Sequence, residues 1–176
     1  VVSALVAPVD GVSVSAGYAR NAYFFADALT GKNVIGGAVN VDVAKLAGLD
    51  FKLGVSAFDN FMLKETNFTT NTFGANVNGG IKEVDGFVEF IMVNNMADGV
   101  AAVNTYALNT QVNLNLIKDL GLDVYFNIAD LTQVGDTFKV GGDASYKLSG
   151  VEFAMNLEYA KATKAFSVTP KVIIVF

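Results

Sequence analysis

The sequence predicts an all-β protein: an antiparallel up-and-down transmembrane β-barrel of about twelve strands, about eleven of them visible. Three observations predict it. Apolar and polar residues alternate in twos along most of the chain, which sends them to opposite faces of strands. Apolar residues make up 52% of the chain and charged residues 16%, yet no apolar run approaches the ~20 residues of a membrane helix. Finally, similar short links recur at a hairpin's spacing: P-V-D-G-V from Pro8, K-L-A-G-L-D from Lys45, K-E-V-D-G-F from Lys82, K-D-L-G-L-D from Lys118 and K-L-S-G-V-E from Lys147.

The strands follow in order. Val1–Ala7 is a partial strand. Val12, Val14, Ala16 and Tyr18 then oppose Ser13, Ser15 and Gly17. Ile35, Val39, Val41 and Val43 oppose Gly36, Ala38, Asn40 and Asp42. Leu49, Phe51, Leu53, Val55 and Ala57 oppose Asp50, Lys52, Gly54 and Ser56. Phe73, Ala75, Val77 and Ile81 oppose Gly74, Asn76, Asn78 and Lys82. Val88, Phe90 and Met92 oppose Glu89, with Phe87, Ile91 and Val93 on the glutamate side.

The clearest alternation comes next. Tyr106, Leu108, Thr110, Val112, Leu114 and Leu116 face away from Asn109, Gln111, Asn113 and Asn115. A helix would scatter these amides round its circumference, whereas a strand gathers them on one face. Leu122, Val124, Phe126 and Ile128 oppose Asp123, Tyr125 and Asn127. Phe138, Val140, Ala144 and Tyr146 oppose Lys139, Gly141, Asp143 and Lys147. Val151, Phe153, Met155, Leu157 and Tyr159 oppose Glu152, Asn156 and Glu158. The chain closes on Phe166, Val168, Pro170, Val172, Ile174 and Phe176, an apolar parity ending on an aromatic.

Glycine in each link is expected to supply a positive φ for a tight turn. The opposite ends carry longer connections: Asn21–Lys32, Asp59–Asn71, Ala97–Asn104, Asp130–Asp136 and Lys161–Ala165. Short turns at one rim and long loops at the other are the asymmetry of membrane barrels. One domain, Val1–Phe176, is expected. With no initiator Met or signal segment at its start, a mature or N-terminally truncated product is expected.

Composition excludes several functions. Without histidine there is no His-based triad or general base, and without cysteine or histidine most zinc, haem and iron–sulfur sites fall away. Glu152 and Glu158 share a strand face but stand roughly 20 Å apart at strand rise, too far for paired-carboxylate chemistry. No catalytic residue, cofactor or metal is expected, and the chain is not read as an enzyme. A net charge of −5 makes nucleic acid an unsuitable partner.

With the terminal aromatic and the repeated links in view, the chain resembles bacterial outer-membrane β-barrel proteins, porins above all. The Lys-x-x-Gly links resemble those of spirochaetal barrels of the major outer sheath type. The resemblance implies a bacterial outer-membrane location. It implies as partners outer-membrane lipid, the barrel-assembly machinery and, for an oligomeric porin, further copies of the chain. It also implies an assembly signal at Phe166, Val168, Val172, Ile174 and Phe176, with Pro170 a departure. The absence of Trp leaves any interfacial girdle to Tyr and Phe.

The polar faces then line a pore. The expected lining is Asp42, Lys52, Asn76, Asn78, Lys82, Asn109, Gln111, Asn113, Asn115, Asp123, Asn127, Lys139, Asp143, Glu152, Asn156 and Glu158. Acids outnumber lysines on these faces, so the expected function is passive diffusion of small hydrophilic solutes or ions with a weak cation preference. Two other readings stay open: a structural or adhesive surface protein anchored by the barrel, and a soluble β-barrel holding an apolar ligand. Periodicity alone does not distinguish inside from outside.

Overall fold

The computed structural model describes residues 2–20, 33–64, 67–96 and 102–174. Among them are eleven strands: β1 (Val2–Val9), β2 (Val12–Arg20), β3 (Asn33–Asp42), β4 (Lys52–Lys64), β5 (Asn67–Ile81), β6 (Val84–Asn95), β7 (Val103–Ile117), β8 (Leu120–Ile128), β9 (Phe138–Leu148), β10 (Val151–Ala160) and β11 (Ala165–Ile174). They form one antiparallel up-and-down sheet in sequence order. At the two ends of that order, β1 and β11 each have one hydrogen-bonded neighbour.

The chain divides into two compact units. The first is Val1–Val77 with Phe90–Tyr106, and the second is Asn78–Glu89 with Ala107–Phe176. Ladders run with constant parity in each. In the first, β2 and β3 pair from Val12↔Val41 to Arg20↔Asn33. In the second, β9 and β10 pair from Leu148↔Val151 to Lys139↔Ala160. Constant register keeps each face chemically uniform from strand to strand.

Four expectations are corrected. Asp59–Asn71 is not a loop: β4 runs to Lys64 and β5 starts at Asn67. Its Asn and Thr residues look loop-like by composition, but the sheet satisfies the backbone here, as in the bond from Met96 N–H to the Thr69 carbonyl (2.9 Å). The Lys45 link is not a tight turn but a short helix, α1 (Val43–Ala47). The Asp42 carboxylate caps the Lys45 N–H, and Gly48 ends the helix at φ 65°. That helix displaces Leu49–Phe51 from the strand expected there. Lastly, only some link glycines turn the chain. Gly11 (φ 89°) and Gly150 (φ 85°) do, the latter beside Ser149 at φ 47° in the two-residue pattern of a type I′ turn. Gly86 and Gly121 lie within β6 and β8, and the turn before β8 puts its positive φ on Asp119.

Two of the expected long connections bear on residues 21–32 and 97–101, which lie outside the described residues. The Asp130–Asp136 connection is structured, with a 3-10 turn at Leu131–Gln133 and a helix α2 (Val134–Thr137). Asp130 accepts from the Thr132 N–H (2.9 Å) and hydroxyl (2.7 Å).

Burial runs opposite to that of a soluble domain. Along β8, Leu122, Val124 and Phe126 are exposed, while Asp123, Tyr125 and Asn127 are half-buried. Along β10, Phe153, Met155 and Leu157 are exposed, while Glu152, Asn156 and Glu158 are half-buried. Among the described residues, buried apolar side chains are confined to Ala19, Ala44 and Ile128, and no large side chain is fully buried. A water-soluble fold hides its large hydrophobes; in β8 and β10 the apolar parity is the more exposed one.

Candidate functional site: the polar face of the sheet

In the second unit the polar face is organised in rows across the strands. Cross-strand pairing puts Asn113, Asp123, Asp143 and Asn156 opposite one another in turn. Amides stitch this row together. Asn113 Nδ2 donates to Asp85 Oδ1 at 2.6 Å, and Asn156 Nδ2 donates to Asp143 Oδ1 at 2.9 Å. Asp123 and Asp143 face each other directly, a like-charge pairing that costs stability in a sheet.

The adjacent row runs Gln111, Tyr125, Gly141, Glu158. Gly141 matters because it has no side chain. A Cβ there would collide with the Tyr125 ring tip and stand 2.6 Å from the Leu157 carbonyl. The phenol therefore crosses a whole strand, and its hydroxyl donates to Glu158 Oε2 at 3.0 Å. Asn156 Nδ2 donates to the same phenol at 3.3 Å. Glu158 also pairs with Lys139 at 3.2 Å. One carboxylate thus ties β8, β9 and β10 together, an arrangement in which partners reinforce one another.

Further from this centre, Gln111 Nε2 donates to Asn113 Oδ1 (2.6 Å) and Asn109 Nδ2 to Glu89 Oε2 (3.0 Å). Toward the short turns, Lys147 meets Glu152 at 3.7 Å.

The first unit's polar face is different. Ser13, Ser15 and Gly17 on β2 lie opposite Asn40, Ala38 and Gly36 on β3. Gly36 and Ala38 in turn lie opposite Asn60 and Phe58 on β4. Asn60 lies over Gly36, and the Phe58 ring lies over Gly74; a Cβ on either glycine would strike it. These small residues leave a hollow of about 300 Å³ lined by Ser3, Ser15, Gly17, Phe58 and Asn60.

The predicted lining residues sort as follows. Asn109, Gln111, Asn113, Asp123, Lys139, Asp143, Asn156 and Glu158 come together in the rows of the second unit, with Asn127 in line between Asn109 and Lys139. Glu152 sits nearer the turns with Lys147. Asn115 lies past the register shift in β7 that follows Leu114, where its N–H donates to the Glu83 carbonyl. Lys82 occupies the β5–β6 turn and Asp42 the α1 cap. Lys52 opens β4, and Asn76 and Asn78 lie in β5 on opposite sides of the division between units.

In the expected assembly signal, Phe166, Val168, Val172 and Ile174 are all exposed on β11; Phe176 lies outside the described residues. Pro170 stands opposite Met155 in the end strand of the sheet, where a missing N–H is tolerated.

Two members of the face were missed in the sequence. Asp85 looks like part of the K-E-V-D-G-F link, although β6 already begins at Val84. Tyr125 is on the polar parity but was not among the expected lining residues. The signal that could have found it is Gly141 on the neighbouring polar parity, an empty site wide enough for a ring.

Comparison with protein-family models, with curated proteins and with solved structures returns no match.

Proposed function

We propose that the chain is a bacterial outer-membrane β-barrel through which small hydrophilic solutes or ions diffuse passively, with a weak preference for cations. The observation that carries this reading is the inverted burial of β8 and β10. Exposed Leu, Val, Phe and Met alternate with half-covered Asp, Asn, Glu and Tyr, as in a sheet with lipid on one side and water on the other. Strands of nine to fifteen residues, such as β8 and β5, are long enough to cross a bilayer when tilted. The acidic row at Asp85, Asp123 and Asp143 supports the cation preference, because fixed lumen charges bias ion passage. A barrel of about twelve strands is narrow, which suits ions and small metabolites. The steps of assembly, the lipid contact and the outer-membrane location belong to the same proposal.

The test is planar-bilayer conductance of the detergent-folded chain in a salt gradient. Discrete steps with a cation-side reversal potential are expected. Anion selectivity would overturn the assignment of the acidic row, and a chain that stays monomeric in plain buffer would overturn the membrane reading altogether. A second reading, the barrel as a plugged anchor, is favoured by the Tyr125–Glu158–Lys139 bridge, which crosses three strands. Well-folded protein without conductance would decide for it.

A further inference from the structure

A hydrogen-bonded polar pair lies in the middle of the apolar parity of β4 and β5 in the first unit. Asp59 lies opposite Gly37 on the parity of Val55, Ala57 and Phe61. Asn71 Nδ2 donates to its Oδ1. Beside this carboxylate is a hollow of about 490 Å³, within the size range of small-molecule sites. Its floor is Gly37 and Ala57, which have little or no side chain. Its walls are Ile35, Val39, Phe61 and Phe73.

The register fixes how the hollow is oriented. Ile35 and Phe61 pair toward the loop end of the β3–β4 ladder, and Val39 and Ala57 toward the turn end. The carboxylate therefore lies at the side of an apolar trough that runs along the strands. A carboxylate is costly on a lipid-facing surface, and one amide neighbour does not neutralise its charge. What fits is a molecule with a long apolar chain and a cationic donor at one end.

We infer that this trough holds one acyl chain of an amine-bearing phospholipid, whose ammonium group binds the Asp59 carboxylate. The inference rests on the proposal that the apolar face meets lipid. Charge complementarity selects the amine: an anionic headgroup would be repelled by the same carboxylate, and a charge-assisted hydrogen bond is the stronger kind.

The test uses the folded chain reconstituted in vesicles of equal parts phosphatidylethanolamine and phosphatidylglycerol, extracted in mild detergent and weighed by native mass spectrometry. The wild-type chain is expected to retain phosphatidylethanolamine about tenfold over phosphatidylglycerol, a difference of ~1.4 kcal/mol. Asp59→Asn abolishes the preference while keeping a bound lipid. Ala57→Phe fills the floor and removes the bound lipid. Val124→Ala, on the apolar face of the second unit, leaves both unchanged. Far-UV circular dichroism checks that each variant is folded, and Ala57→Leu replaces Ala57→Phe if the latter is not. Equal retention of the two lipids by the wild type, no retained lipid, or an unaltered preference in Asp59→Asn would each overturn the inference. Failure of the underlying membrane reading looks different: the chain would not partition into vesicles at all.

Discussion

The two units carry the same alternation but use their polar faces differently. On β2–β4 the polar parity holds Ser13, Ser15, Gly17, Gly36, Ala38 and Asn40, with Asn60 and Phe58 lying over glycines. On β8–β10 it holds Asp123, Tyr125, Asn127, Lys139, Asp143, Asn156 and Glu158, linked by hydrogen bonds and an ion pair. The difference lies in what keeps the strands in place. In the first unit the backbone ladder does most of it, and the small residues leave space. In the second, side chains bridge strands that are not neighbours, so the face is filled and its members depend on one another. The small-residue face tolerates change where nothing lies over it, as at Gly17; a bridged face does not.

The largest effect is therefore expected in the second unit, where backbones approach most closely. At Gly86 an added Cβ would collide with the Gln111 carbonyl oxygen and sit 3.2 Å from the Val112 Cα. Neither is a movable side chain, so β6 and β7 must separate. Gly86→Ala is expected to cost about 3 kcal/mol, read as a lower urea midpoint of the folded chain in micelles. A neutral result would mean that the second unit is as accommodating as the first.

Gly141→Ala comes next, at about 2 kcal/mol. It evicts the Tyr125 phenol and breaks its bonds to Glu158 and Asn156. The same substitution in a Tyr125→Phe background separates the two causes. There the bonds to the hydroxyl are already gone, so the cost should shrink, and the remainder measures the steric part. Equal costs in both backgrounds would remove the bridge from the explanation.

The opposite outcome is expected in the first unit. A Cβ at Gly17 meets Ser3 Cβ at 3.4 Å, close to ordinary contact. Gly17→Ala should lie within about 0.5 kcal/mol of the wild type, or stabilise slightly, because it reduces the freedom of the unfolded chain. A loss comparable to that at Gly141 would show that the first unit is also tightly packed.

How much of this was legible in the sequence depended on whether the information was local. The strands β8, β9 and β10 were readable because two-residue alternation is a local property that the sheet leaves intact. Asp59–Asn71 was misread because Asn and Thr occur both in loops and in the strands of a long hairpin, and only the ladder distinguishes the two. The helix α1 was hidden because its determinants, Asp42 as cap and Gly48 as stop, sit inside a repeat that elsewhere makes turns. The polar parity was legible, but the Tyr125–Glu158 bridge was not. It depends on the register that sets Gly141 between them, and register is a property of three strands together.

The smallest effect concerns an ion pair in the first unit that stands off the polar face. Lys45 on α1 meets Asp10 in the β1–β2 turn at 2.7 Å. The hydrogen bond that Lys45 donates to Asp10, then the negative charge of Asp10, raises the Lys45 pKa above its ordinary 10.5. A lysine whose pKa is higher in the folded state contributes stability below its unfolded pKa and loses it as pH rises through the folded value. Stability from this pair is thus constant at neutral pH and fades only in the alkaline range above 10.5. Both side chains are well exposed, so solvent and salt screen the pair and the effect is small. Side-chain NMR titration of Lys45 should give a midpoint that returns toward the ordinary value in Asp10→Asn. The same shift should shrink at high salt, whereas the buried side of the Gly141 effect should not. If Lys45 titrates identically in both chains, the turn is held by the Asp42 cap and the 2.7 Å bond from its N–H to the Gly11 carbonyl, and the Lys45–Asp10 charge pair has no part in fixing it.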